Sequence, residues 1–150
     1  MGSLIYLTAT RPNMMFIVSL LSMYIECLTG LHLLTVKKVF RYLKGTISFG
    51  VFYKKEGFEG LNVYFDSDHA GDVEDRKSTS SYVFMLSVGA VSWSSKKQAI
   101  MTLSTTEAEF IAVASCACQT IWLRRILQQL GHNQEGSTTI HCDNSYAITL

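Results

Sequence analysis

A single proline, Pro12, stands in the 150 residues, and there are no internal repeats or low-complexity tracts. That composition leaves no room for a proline-rich linker or a repeat array. The four cysteines, Cys27, Cys116, Cys118 and Cys142, lack the spacing of a zinc site. Cys116 and Cys118 lie two apart in a helical pattern, so their side chains diverge. The cysteines therefore read as small buried hydrophobes in a reducing compartment. Net charge is nearly absent: 13 basic against 12 acidic residues leave +1, so overall charge does not announce a nucleic-acid binder. Long apolar runs are missing too. Met14 to Ile25 spans 12 residues and is broken by Ser19 and Ser22, too short to cross a bilayer, and no secretory cleavage site follows it. Met1-Gly2-Ser3 opens like a myristoylation signal, but Tyr6 stands where that signal needs Ser or Thr. The expectation is a soluble, intracellular protein, not secreted and without a membrane partner. At 48% hydrophobic it is long enough to bury one core, with or without an appendage.

What is present is organised around one acidic stretch, Phe65-Asp66-Ser67-Asp68-His69-Ala70-Gly71-Asp72. It follows Leu61-Asn62-Val63-Tyr64, an alternating run that predicts a strand with Val63 and Phe65 on one face and Tyr64 and Asp66 on the other. Three aspartates within seven residues repel one another, and a divalent cation would relieve that repulsion. Taken alone, the stretch is as well explained by a solvated turn.

Residues 1 to 45 are expected to be helical. Pro12 suits the first turn of a helix running to about Cys27, with Thr10 as its cap. A second helix is predicted from about Leu31 to Lys44, stopped by Gly45, with Leu33, Val36, Phe40 and Leu43 as its buried stripe. Lys37, Lys38, Arg41 and Lys44 fall largely outside that stripe, either as a solvated face or as a phosphate-tracking surface with Tyr42 as a stacking group. Strands are predicted at Ser48–Tyr53, Gly60–Asp66, Ser81–Ser87, Ala90–Ser95, a short edge at Ala99–Leu103, and Ser137–Cys142. The segment 54–60 turns between the first two, and Val88-Gly89 makes the later hairpin. A long helix starts at Ser104, where Ser104-Thr105-Thr106-Glu107 is a capping box, and closes at Gly131. Its inner stripe is predicted to be Ile111, Ala114, Cys118 and Ile121. A further helix is expected from Asn144, carrying Tyr146, Ala147 and Ile148.

An acid ends the strand at Asp66, another lies in the first turns of the long helix, and a third ends the last strand at Asp143. They are 43 and 34 residues apart, so only tertiary structure brings them together. A mixed sheet with its first and fourth strands adjacent, and the helix packed across it, would do so. Converging carboxylates that hold Mg²⁺ are what two-metal phosphoryl transfer requires. Asp143 before Asn144 also reads as a plain helix cap.

Several segments in one order carry a resemblance: Gly2 to Leu7 (GSLIYL), Thr10-Arg11-Pro12, Arg41 to Thr46 (RYLKGT), the acidic stretch, Asp75 to Ser80 (DRKSTS), Trp93 to Gln98 (WSSKKQ), Leu103 to Phe110 (LSTTEAEF) and Cys142-Asp143-Asn144. Over essentially its whole length the chain resembles the ribonuclease H domain of copia-type retrotransposon Pol polyproteins, preceded by the end of the reverse transcriptase. The resemblance implies a helical thumb or connection remnant over 1–45 and a ribonuclease H-like α/β domain with a mixed sheet over 46–150. It also implies that the last strand and C-terminal helix of the usual fold are missing, together with the fourth acid.

By the same resemblance, Asp66, Glu109 and Asp143 are the catalytic, metal-binding acids, holding two Mg²⁺ with Mn²⁺ as the substitute. Asp68 and His69 are candidate assistants. Glu109 is preferred to Glu107 because it begins the family's acid–hydrophobic–hydrophobic–Ala pattern and because the capping box already employs Glu107; the helical wheel does not settle the choice. Lys37, Arg41, Lys44, Arg76, Lys77, Ser78 and Thr79 are the candidate nucleic-acid contacts. The implied activity is hydrolysis of RNA in RNA–DNA hybrids during reverse transcription, in the cytoplasm within a virus-like particle, with the rest of the Pol polyprotein as partner. Asn13, Leu28, Ser81 and His69 depart from the family's usual Asp, Pro, Gly and aromatic residues, and with the early end they favour the alternative of an inactive, truncated remnant that at most binds nucleic acid.

Overall fold

The computed structural model describes residues 1–54 and 60–143. The turn expected at 54–60 and the helix expected from Asn144 lie, wholly or nearly so, outside the described residues. The chain divides into two compact units, Met1–Val51 and Phe52–Leu150.

The first unit is helical, as the sequence implies. α1 (Gly2–Leu7) is followed by a 3₁₀ turn at Pro12–Met14, α2 (Met15–Met23), a second 3₁₀ turn at Ile25–Cys27, and α3 (Gly30–Gly45). Leu4, Met14, Val18, Leu21 and Val39 form its core. Three local expectations are corrected. Thr10 does not cap the helix at Pro12, because its hydroxyl donates backwards to Leu7 O (3.2 Å). The buried stripe of α3 is Val36, Val39 and Leu43, whereas Leu33 and Phe40 are each 55% exposed. Leu and Val residues occur nearly all round this helix, so its sequence left the inward face open by about one position. Finally, Gly45 is the last residue of α3 and Thr46 caps it, its hydroxyl donating to Tyr42 O (2.8 Å). The Arg11 guanidinium donates to Thr46 O (2.7 Å) and Ile47 O (3.3 Å), placing positive charge at the negative end of the α3 dipole. At the other end Thr29 and His32 make a reciprocal capping box, and the His32 ring stacks on Tyr24.

The second unit is a four-stranded sheet of order β3-β2-β1-β4, formed by β1 (Leu61–Ser67), β2 (Thr79–Leu86), β3 (Gly89–Lys97) and β4 (Thr139–His141). β1, β2 and β3 are antiparallel neighbours, and β4 lies parallel to β1. The sheet is therefore mixed, with the first and fourth strands adjacent as expected. α4 (Thr105–Gln129) makes the crossover from β3 to β4. β1 alternates as its sequence does: Leu61, Val63 and Phe65 are buried while Tyr64 and Asp66 are exposed. The buried face meets Phe84, Ala112, Cys116 and Leu127 in one core. The hairpin turn is Ser87-Val88, with Ser87 at φ +53°. Gly89 opens β3 because a Cβ there would lie 2.6 Å from the Tyr53 ring and 3.0 Å from Phe52 O.

Two expected strands are absent among the described residues. Over 48–53 the Phe49 N–H donates to Thr46 O (3.0 Å), and Tyr53 reaches β3 only through its hydroxyl, 2.8 Å from Ala90 O. An alternating pattern becomes a strand only where an edge pairs with its backbone. Residues 99–103 are likewise irregular and lead into α4.

The inner stripe of α4 also differs from the expectation. Ala114, Cys118 and Ile121 face outward, and Ala108, Glu109, Ala112, Cys116, Thr120 and Leu127 are buried. Both sides of this helix are apolar, so periodicity could not choose between them. Small residues at 108, 112, 116 and 120 let the helix approach the sheet closely, and packing density decides in their favour. By length and composition α4 also qualifies as a membrane-crossing helix; here its small-residue ridge lies against the sheet. Its C-terminus closes at Gly131 (φ +81°), with His132 N–H donating to Leu127 O (2.8 Å) and Gly131 N–H to Gln128 O (3.0 Å). That is the Schellman arrangement.

Candidate metal centre

The parallel register pairs Asn62 with Thr139, Val63 with Ile140 and Tyr64 with His141. β1 continues past this pairing to Asp66, while β4 ends at His141, two residues before Asp143. Phe65 is buried and Cys142 packs against the same core, while Asp66 and Asp143 are exposed.

α4 supplies the other carboxylate. Glu109 lies in its second turn, on the ridge that packs against the sheet, and is only 6% exposed. A ligand atom of Glu109, one of Cys142 and one of Asp143 all lie within 4.8 Å of one another. The Cys142 thiol donates to Glu109 Oε2 at 3.3 Å. Glu107, by contrast, works at the helix start: its amide donates to Ser104 Oγ (3.1 Å) and its carboxylate accepts from Leu103 N–H (2.7 Å). The reciprocal bond thus reaches one residue further back than a capping box requires.

Two carboxylates converging from separate elements are a suitable donor set for a hard divalent cation. Mg²⁺ takes one or two carboxylates and keeps the rest of its shell for water and phosphate oxygens. Burial of Glu109 raises the cost of holding a negative charge there, and a cation would lower that cost. The residues present fit the group. Asp66 is not a member of the 4.8 Å cluster; it stands beside it, one strand over.

The rest of the acidic stretch builds a loop. Asp68 Oδ1 accepts from Thr79 N–H (2.5 Å), and Asp68 N–H donates back to Thr79 O (3.2 Å). Asp68 thus fastens its own loop to the start of β2 through Oδ1. Asp72 Oδ1 accepts from Glu74 N–H (2.8 Å) and Asp75 N–H (3.2 Å), while Lys97 Nζ lies 2.5 Å from its other oxygen. The Lys97 ammonium and those amides hold the Asp72 carboxyl down at about 2. Asp72 and Asp75 together raise Lys97 above its ordinary 10.5. His69 is exposed in the same loop.

Ser78 must be removed from the candidate nucleic-acid contacts. It is completely buried, accepts from Ala70 N–H (3.1 Å) and shares a hydrogen bond with Thr102 Oγ1 (3.1 Å). Arg76 is exposed, Lys77 lies 3.7 Å from Asp75, and Thr79 is half-buried at the start of β2. Lys37, Arg41 and Lys44 are exposed on α3 in the other unit.

Sequence reasoning missed two residues beside the carboxylates. Gln98, 6% exposed, donates from Nε2 to Ser80 Oγ (2.8 Å), Ser67 Oγ (3.2 Å) and Ala108 O (2.9 Å). It ties β1, β2 and the first turn of α4 together next to Glu109. Cys142 departs from the expectation that all four cysteines are small buried hydrophobes. That description suits Cys116, whose thiol is pushed up to about 11 by burial, but Cys27 and Cys118 are exposed and Cys142 is half-buried. The available signal was position: Gln98 closes the segment 93–98, and Cys142 immediately precedes Asp143. At the far end of α4, Arg124 donates to Thr138 Oγ1 (2.6 Å), Gln134 O (2.8 Å) and Gly136 O (2.8 Å), fixing the loop that delivers β4.

No protein-family model and no solved structure match the chain. It is 41% identical over 149 residues to the Retrovirus-related Pol polyprotein from transposon RE2 of Arabidopsis thaliana, covering 99% of this chain and 10% of that protein. The Retrovirus-related Pol polyprotein from transposon TNT 1-94 of Nicotiana tabacum is 41% identical over 155 residues, covering 99% of this chain and 11% of that protein. Secreted RxLR effector protein 161 of Plasmopara viticola is 41% identical over 123 residues, covering 81% of this chain and 87% of that protein. The chain thus spans about a tenth of the length of the two polyproteins.

Proposed function

We propose that the chain, which is 41% identical to retrovirus-related Pol polyproteins of transposons over 99% of its length, is their ribonuclease H segment, hydrolysing RNA in RNA–DNA hybrids with Mg²⁺. The second unit is then a ribonuclease H-like domain, and the helical first unit is the end of the reverse transcriptase. One observation carries the reading: Glu109 from α4 and Asp143, two residues after β4, converge, with Asp66 near the end of the neighbouring strand β1.

In this reading Glu109 and Asp143 hold the cation, and Asp66 is the third acid at the strand ends. When bound, Mg²⁺ supplies Lewis-acid polarisation of the scissile phosphodiester and lowers the pKa of the attacking water. Arg76 and Lys77, with Lys37, Arg41 and Lys44, neutralise backbone phosphates, and recognition rests on backbone shape and 2′-hydroxyls more than on base sequence. The remainder of the Pol polyprotein is the covalent partner, and the setting is a cytoplasmic virus-like particle.

The test is cleavage of a labelled RNA–DNA hybrid by the 150-residue chain with and without Mg²⁺, beside Asp66→Asn and Glu109→Gln. Mg²⁺-dependent cleavage that both substitutions abolish is expected. Cleavage that survives both, or none by the unsubstituted chain, overturns the reading.

A further inference from the structure

Just after β4, Cys142 and Asp143 both bring a ligand atom within 4.8 Å of Glu109, but they differ in exposure. Asp143 is exposed, while Cys142 turns inward, packs against the core and donates its thiol hydrogen to Glu109 Oε2 at 3.3 Å. Glu109 is almost wholly buried, so little bulk water is available to orient its carboxylate. A neutral thiol is a weak donor, but its acceptor here is an acid, and it has no acidic oxygen of its own to compete for a hard cation.

We propose that Cys142 is a positioning residue for the metal centre: its S–H, donated to Oε2, helps fix the orientation in which the Glu109 carboxylate meets the cation. This rests on the reading of Glu109 and Asp143 as Mg²⁺ ligands. It gives adjacent residues complementary tasks, Asp143 as ligand and Cys142 as the donor that aims the ligand facing it. Groups that orient metal ligands typically contribute 10–100-fold in metal affinity.

The experiment measures Mn²⁺ binding to the full chain by electron paramagnetic resonance, alongside the thermal midpoint. The unsubstituted protein is compared with Cys142→Ser, Cys142→Val and Glu109→Gln. Cys142→Val keeps the apolar contact and loses the donor; Cys142→Ser keeps a donor and loses apolar contact. Mn²⁺ affinity is expected to fall roughly 10–100-fold in Cys142→Val and to stay near the unsubstituted value in Cys142→Ser, while the thermal midpoint ranks the two variants the opposite way. Cys142→Ala carries the same comparison should Cys142→Val not fold. If the Val and Ala variants bind Mn²⁺ as tightly as the unsubstituted chain while Glu109→Gln does not, the positioning role is overturned and the metal reading stands. If Glu109→Gln also binds as tightly, the metal reading fails and the inference falls with it.

Discussion

Lys97 Nζ lies 2.5 Å from an Asp72 carboxylate oxygen, and this pair fastens the loop after β1 to the end of β3. The first prediction concerns its pH dependence. Asp72 titrates at about 2 in the folded chain against 3.8 for the free group. A depressed pKa adds stability that is complete above the unfolded value and is lost as pH falls through the folded value. The expected loss therefore falls between about pH 4 and pH 2. Lys97, raised above 10.5 by Asp72 and Asp75, contributes stability that is full below 10.5 and disappears as pH climbs through its folded value. Urea midpoints across both windows should show the two declines, and Asp72→Asn should flatten the acid one.

The core of the second unit depends on Phe84, which is completely buried between the sheet and α4. Phe84→Ala should cost about 3–5 kcal/mol, the transfer loss plus the cavity left behind. Chemical denaturation followed by fluorescence measures it.

Gln98 joins three elements through one amide nitrogen. Gln98→Leu leaves Ala108 O and two hydroxyls without that donor and should cost about 1–3 kcal/mol. It should also weaken divalent-ion binding, because Glu109 follows Ala108 on the turn of α4 that Gln98 holds. Calorimetric Mg²⁺ titration beside a denaturant curve separates the two effects.

Glu107 and Glu109 are two residues apart in sequence and do different work. Glu107→Gln should lower stability by up to about 1 kcal/mol through the helix cap and leave metal binding intact. Glu109→Gln should abolish metal binding. Mg²⁺ titration and thermal melts of both variants check the contrast.

Arg124→Ala should release the segment before β4, since the guanidinium meets two carbonyls and a hydroxyl there. Hydrogen bonds from a charged donor contribute roughly 1.5–3 kcal/mol each when broken. Amide exchange over 134–141 should quicken more than in β2.

Much of the fold is legible in residue order, because it follows from local chemistry. Alternation in 61–66 sets the buried face of β1, and Ser104 and Gly131 mark the ends of α4 through hydrogen bonds that reach three to five residues. The positions of the three acids at element ends were legible for the same reason. The strand expected at 48–53 was not, since a strand needs an edge to pair with, and sequence pattern carries no information about which edges are free.

What the sequence by itself determined is the inventory: the acids Asp66, Glu107, Glu109 and Asp143, an α/β alternation, and apolar helices with apolar residues on more than one side. Tertiary structure alone decided which side of α4 turns inward. The small ridge from Ala108 to Thr120 packs closer than Ala114, Cys118 and Ile121 would, and that choice buries Glu109 in place of Glu107. The same packing sets β4 beside β1 in parallel, brings Cys142 to within 3.3 Å of Glu109, and sends Ser78 into the interior. Each depends on contacts between residues far apart in the chain, formed by close packing and by the need to satisfy buried polar groups, and neither force has a local signature.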